Sequence, residues 1–198
     1  MGAGHGRRIV LASGSPRRRE LLERMGLAFD VVITDIDESV SDDEEPVPYV
    51  RRLSHEKAVA ARRLENVGHD DLVIAADTTV DLDGRILGKP ADPDEARAML
   101  RDLSSRTHRV HTGVTVAVGD RMATDAATTL VTFTPVTAGV MEWYIRTGEP
   151  FDKAGGYGLQ GAGGVFVSSV QGSVSNVVGL PLATVVALAR SIGVELVG

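Results

Sequence analysis

The chain contains no cysteine, which excludes a disulfide framework, a thiolate metal site and a cysteine nucleophile. Any metal must then be held by oxygen or imidazole, which points to a hard divalent cation such as Mg²⁺ or Mn²⁺. Aromatic residues make up 4% of the chain, and no apolar run approaches the ~18 residues of a membrane-spanning helix. The stretch from Met1 to Arg8 is glycine-rich and basic, but no apolar signal-peptide core follows it, and Gly6 stands where a myristoylation motif needs Ser or Thr. The expectation is a soluble, cytoplasmic protein with no membrane partner and a flexible tail over about residues 1–7. Excess positive charge is also missing. A formal net charge of −6 argues against the broad basic face that grips a nucleic-acid backbone, so an anionic ligand has to be caught locally.

An apolar content of 43% over 198 residues is enough for one sizeable core, and a single domain over 1–198 is expected. Ile9 to Ala12 reads as a strand that breaks at Ser13-Gly14-Ser15-Pro16 into a helix, with Ser15 as N-cap and Pro16 at the first helical position. Phe29 to Ile33 alternates like a strand. The acidic segment Asp35 to Glu45, with Pro46 and Pro48, reads as an exposed loop before a helix over Tyr49 to Leu64. Leu72 to Ala76 is a continuous apolar run ended by Asp77, as in a strand covered on both faces. A hairpin about Asp83-Gly84 follows, then a helix from Asp92-Pro93 to about Leu103. Two long strands, His108 to Val118 and Met122 to Phe133, precede a helix over Thr137 to Thr147. A glycine-rich loop from Asp152 to Gly164, a strand over Val165 to Val170 and a helix over Leu182 to Ile192 complete the chain. The alternation predicts an α/β class with a mixed, twisted sheet flanked by helices.

Several residues carry chemistry in this pattern. Arg17, Arg18 and Arg19 crowd the positive end of a helix dipole, where each costs on the order of 0.3–1 kcal/mol, so a bound anion is the natural compensation. Ser13, Ser15 and the free N–H groups near Gly14 add donors, making a triphosphate cradle. The bland reading is a solvated basic turn neutralised by Glu20 and Glu23. Asp77, at the expected strand end, could hold a metal or orient a water, or simply cap a turn before Thr78 and Thr79. Lys89 could reach a phosphate. Lys57 lies mid-helix, where an ion pair with a neighbouring turn is the default. Asp37 or Glu38 could assist a metal, whereas His108 and His111 point to opposite faces of a strand and are given no role. Six glycines between 155 and 164 let backbone approach a ligand, with Asp152 and Lys153 supplying charge and Gln160 a donor and an acceptor for a base edge.

The segments Leu11-Ala-Ser-Gly-Ser-Pro-Arg-Arg-Arg-Glu-Leu-Leu22, Ala76-Asp-Thr78, Leu87-Gly-Lys-Pro90 and Asp152-Lys-Ala-Gly-Gly-Tyr-Gly-Leu-Gln-Gly161 resemble the successive signatures of the Maf nucleotide pyrophosphatases, in order and at matching spacing. The resemblance runs from Ile9 to about Ile192. It implies hydrolysis of a nucleoside triphosphate to monophosphate and pyrophosphate with a divalent metal. It also implies a homodimer and a fold of two lobes around a cleft, similar to inosine triphosphate pyrophosphatases. Asp77 is the implied proton acceptor and, with Glu38, metal ligand. Arg18, Lys57, Lys89, Asp152 and Lys153 are implied around the phosphates. Arg17, Thr78 and Gln160 match the branch acting on dTTP and UTP. Gly156 departs from that branch's usual alanine, which implies a looser base-side loop.

Rival readings are separable. Arg19 to Leu27 looks like half a Nudix box, but Arg24 stands where that box needs a second glutamate, and His5 and Leu11 replace its glycine and glutamate. A nucleotidyltransferase shares a faint likeness at Ile9 to Arg18 and Lys89-Pro90. A non-catalytic regulator of septum formation, a role attached to the Maf name, would bind nucleotide without consuming it.

Overall fold

In the computed structural model, which describes residues 7–197, the apolar run Ile9–Ala12 is strand β1. All of the expected tail but Arg7 lies outside the described residues. Helix α1 spans Pro16–Arg24 with Ser15 as its N-cap residue, and a short strand β2, Asp30–Val32, returns parallel to β1. Helix α2 spans Pro46–Ala61, so it starts and ends three residues earlier than Tyr49 to Leu64. Pro46 and Pro48 belong to its first turn and not to a loop, because proline lacks only an N–H that no carbonyl in that turn would accept.

Strand β3, Leu72–Leu82, does not stop at Asp77. Its first half is apolar and its second half mixed, so the end of the apolar run marks a change of surroundings within one strand. β4, Arg85–Leu87, pairs with it through the expected turn, where Asp83 and Gly84 take φ of 55° and 87°. Helix α3 spans Pro93–Leu103, with the Asp92 carboxylate accepting from Glu95 N–H at 2.9 Å. The long strands β5, Thr107–Val118, and β6, Arg121–Phe133, are followed by helix α4, Ala138–Arg146. The glycine-rich segment folds into short 3₁₀ turns, which delay the next strand, β7, to Val167–Gln171. A five-residue helix α5, Val174–Val178, is too short for periodicity to announce it and precedes α6, Leu182–Ser191.

The seven strands form one mixed sheet in the order β2-β1-β3-β5-β6-β7, with β4 on the edge of β3. β1 pairs with β3 only as far as Ala12 against Ala75, and β4 joins the same edge only from Val80. Ala76 to Thr79 therefore face a gap between two partner strands. Two apolar clusters lie on either face of the sheet around Leu72 to Ala75, and a third lies beyond the gap around Val80, Leu82 and Phe133. The gap separates these cores, as the expected two-lobed arrangement requires.

Candidate active site

The gap in the β3 edge opens into a cleft of about 610 Å³. Because successive residues of a strand point to opposite faces, neighbours at the gap reach different helices. Asp77 faces α2, whose buried stripe Val50, Leu53, Ser54, Lys57, Ala58 and Ala61 recurs at helical spacing. Lys57 sits inside that stripe, and its partners are not on its own helix. Its ammonium lies 2.6 Å from Asp77 Oδ1 and 2.6 Å from Glu38 Oε1, with the Lys57 and Asp77 side chains each 11% exposed. α2 comes this close because β5 offers Gly113, directly opposite Asp77. A Cβ there would sit 2.1 Å from the Val50 carbonyl oxygen.

Thr78 faces the other way, towards α1. Its hydroxyl accepts from Arg18 Nη2 at 3.0 Å, while Arg18 Nε donates to the Gly179 carbonyl at 2.7 Å and Nη1 to Ser13 Oγ at 3.0 Å. Arg18 is buried and thereby braces the cradle, and two of its five N–H groups remain for a ligand. Burial lowers its pKa, an effect that the charge of Asp77 opposes. Ser13 Oγ also accepts from Ser15 N–H at 3.2 Å, which leaves the Ser15 hydroxyl, without a capping bond, on the cleft lining. Arg19 is exposed and outside the lining, so two of the three arginines turn inward. The neutralisation of the bland reading is not what forms: Glu20 makes a loose pair with Arg24 at 3.7 Å, and Glu23 makes no ion pair among the described residues.

Glu38 reaches the cleft because α2 straps the acidic segment down. The Tyr49 hydroxyl donates to the Glu38 carbonyl at 2.9 Å, and Arg52 pairs with Glu44 at 2.7 Å and donates to the Ser39 carbonyl at 3.0 Å. Burial pushes the Glu38 carboxyl up, but the hydrogen bond and charge of Lys57 outweigh it and hold the group below its ordinary value. Burial likewise raises the Tyr49 phenol, to about 12, so it keeps its proton. Asp37 points away and accepts from Ser39 N–H at 2.9 Å, so of the two acidic candidates Glu38 alone lines the cleft.

The opposite wall is the glycine-rich segment. Arg17 Nη1 donates to Asp152 Oδ2 at 2.8 Å, and Lys153 Nζ meets Asp152 Oδ1 at 2.5 Å. Burial raises the Asp152 carboxyl, and the hydrogen bonds from Lys153 and Arg17 bring it net below its usual range. Gly155 N–H donates to the Gly88 carbonyl at 2.9 Å, tying this wall to the segment that carries the exposed Lys89. Gln160 is exposed on the lining and makes no hydrogen bond to the described residues. Gly156 is buried with φ of 69°, a conformation costly for alanine, so the departure there relieves strain in a pinned loop and does not loosen it. Twelve of the residues singled out in the sequence line this cleft, and Arg19 and Asp37 do not.

Sequence reasoning missed Tyr49, which lies on the cleft lining, and Glu149 and Tyr144, which support the glycine-rich wall from behind. Glu149 was the one detectable signal, a second carboxylate ahead of the glycine run, three residues before Asp152.

The family model described as Maf-like protein matches residues 8–192. This chain belongs to the Maf family. The dTTP/UTP pyrophosphatase of Myxococcus xanthus is 51% identical over 189 residues, covering 95% of this chain and 94% of that protein. The dTTP/UTP pyrophosphatase of Anaeromyxobacter dehalogenans strain 2CP-1 is 50% identical over 194 residues, covering 96% of each. Among solved structures, a nucleoside-triphosphatase, dITP/XTP pyrophosphatase, from Mycobacterium abscessus aligns at 14% identity with a TM-score of 0.42. It covers 66% of this chain and 76% of that one, a match too loose to build on.

Proposed function

We propose that this Maf family member hydrolyses a pyrimidine nucleoside triphosphate, dTTP or UTP, between its α and β phosphates and releases pyrophosphate. The observation that carries the reading is the Asp77–Lys57–Glu38 arrangement at the gap in β3, set in one cleft with Arg17, Arg18, Lys89 and Lys153. In a chain of net charge −6, so many cations around one cleft mark where an anion is held. The cleft volume lies within the range of small-molecule sites. The names of the close relatives support the pyrimidine preference, as do Arg17, Thr78 and Gln160 at matching positions.

In this reading Asp77 accepts the proton of the attacking water, and Lys57, 2.6 Å away, keeps its carboxylate aimed. Ser13, Ser15 and the start of α1 take phosphate oxygens by hydrogen bond. Arg18, Lys89 and Lys153 hold the charge that builds on the departing pyrophosphate. Thr78, braced by Arg18, and Gln160 define the space for the base.

A divalent cation suits the donors present. Among the described residues no group of three or more His, Cys, Asp or Glu could hold a metal alone, so a site here rests on Glu38 and Asp77 with phosphate oxygens and water. Mg²⁺ and Mn²⁺ are bound in that manner, and when bound the ion would polarise the phosphates. The proposal extends to a cytoplasmic homodimer, which rests on the family resemblance. Among the described residues no helix is long and apolar enough to cross a membrane.

Incubation with a panel of nucleoside triphosphates and Mg²⁺ or Mn²⁺ tests the reading. Pyrophosphate released without a second substrate supports it. Orthophosphate, or nucleotide that binds and survives, overturns it, and the latter would favour a regulator of septum formation. A requirement for a second substrate would favour nucleotidyl transfer.

A further inference from the structure

Glu149 lies behind the glycine-rich wall and is not part of the cleft lining. Its carboxylate accepts from the Ala162 N–H at 2.8 Å, the Gly163 N–H at 3.1 Å and the Tyr144 hydroxyl at 3.1 Å. The Tyr144 hydroxyl accepts in turn from Gly158 N–H at 3.2 Å. Three backbone donors, on both sides of Gln160, thus converge on two side chains.

The fit leaves room for nothing larger. A Cβ at Gly161 would stand 2.4 Å from Glu149 Oε2, and one at Gly163 would stand 2.9 Å from the Tyr144 hydroxyl. The clamp is itself immobilised, because Tyr144 is fully buried and packs edge-on against Phe166 at 5.0 Å. Burial raises the Tyr144 phenol, and the charge of Glu149 adds to this, so the hydroxyl keeps the proton it donates. Gln160 makes no hydrogen bond of its own to the described residues, so its place is defined by the backbone that this clamp holds.

We propose that Glu149, together with Tyr144, is a positioning residue for base selection, holding the turn from Gly158 to Gly163 so that Gln160 meets the base edge. The inference rests on the reading that Gln160 faces the base of a pyrimidine nucleotide. Misplacing a recognition group by a fraction of its hydrogen-bond length costs affinity for the correct base and little for a base that never used it.

Glu149→Gln is nearly isosteric but turns one acceptor oxygen into a donor that faces a backbone N–H. Its kcat/KM ratio for dTTP over dGTP should fall about tenfold, mainly through KM for dTTP. Amide exchange at Ala162 and Gly163 should speed up in the same protein. Gln160→Ala should lose the ratio too, and the double variant should lose no more than Gln160→Ala alone, whereas a purely structural defect would add. Tyr144→Phe keeps the buried ring and decides the matter if Glu149→Gln does not fold. If Gln160→Ala narrows the ratio while Glu149→Gln and Tyr144→Phe leave it intact, the proposal is overturned and the base assignment stands. If Gln160→Ala leaves the ratio unchanged, the base assignment falls and takes the proposal with it.

Discussion

Lys57 and Asp77 meet at 2.6 Å across the interface of α2 and β3, and the same ammonium holds Glu38 at 2.6 Å. One buried cation thus fixes two carboxylates from different parts of the chain. Removing one member of such a pair strands the other without water or partner.

Lys57→Met should therefore destabilise the fold by about 3 kcal/mol, lowering Tm by roughly 6–12 °C for a chain of this size. Turnover should fall together with it, since both carboxylates lose their aim. A variant that melts with the wild type would show that the pair contributes nothing net.

Gly113→Ala tests how α2 is seated. The added methyl would overlap the Val50 carbonyl at 2.1 Å, and neither backbone can turn aside as a side chain could. The helix must lift, at a cost of about 3 kcal/mol, and carry Lys57 away from Asp77. Thermal melts should show the loss and kcat should drop even well below Tm. An unchanged melting curve would mean that α2 and β5 are looser than their contact implies.

His108 predicts how stability depends on pH. It is buried against Phe133, with Nε2 2.7 Å from the Tyr157 hydroxyl, and burial holds its pKa down at about 4. An unfolded histidine titrates near 6.5. Between those values the unfolded chain takes up a proton that the folded chain refuses, so stability falls as pH drops from about 6.5 towards 4. The slope reaches ~1.4 kcal/mol per pH unit and the total ~3 kcal/mol. His108→Gln lacks the titration, so the difference in unfolding free energy between variant and wild type should shrink as pH falls through this window. A constant difference across the window would contradict the assignment.

The cleft was legible in the sequence to the extent that its residues lie in short motifs. Ser13 to Arg19 could be read as a phosphate-binding turn because serine, glycine, proline and three arginines break local rules together. Asp77 was legible as a carboxylate ending an apolar run, but the gap it faces was not. That gap exists because β1 stops at Ala12, opposite Ala75, and β4 stops at Leu87, opposite Val80, and it depends on pairing between distant segments. The partners of Lys57 were hidden for the same reason, since helical periodicity describes neighbours on one helix and not a carboxylate on a strand. Pro46 and Pro48 misled because proline suits both a loop and a first helical turn. Helix α5 was too short to leave a period.

The most direct measurement is the turnover of Asp77→Asn with dTTP and Mg²⁺, read beside its Tm and nucleotide affinity. The substitution keeps shape and removes the proton acceptor, and positioned general-base help is worth about 10²–10⁴ in rate. The account predicts that kcat falls by at least that factor while melting temperature and nucleotide binding are largely kept, because the arginines and lysines still grip the phosphates. A folded Asp77→Asn protein that turns over within a few fold of wild type would contradict it, and Asp77 would then be no more than the buried partner of Lys57.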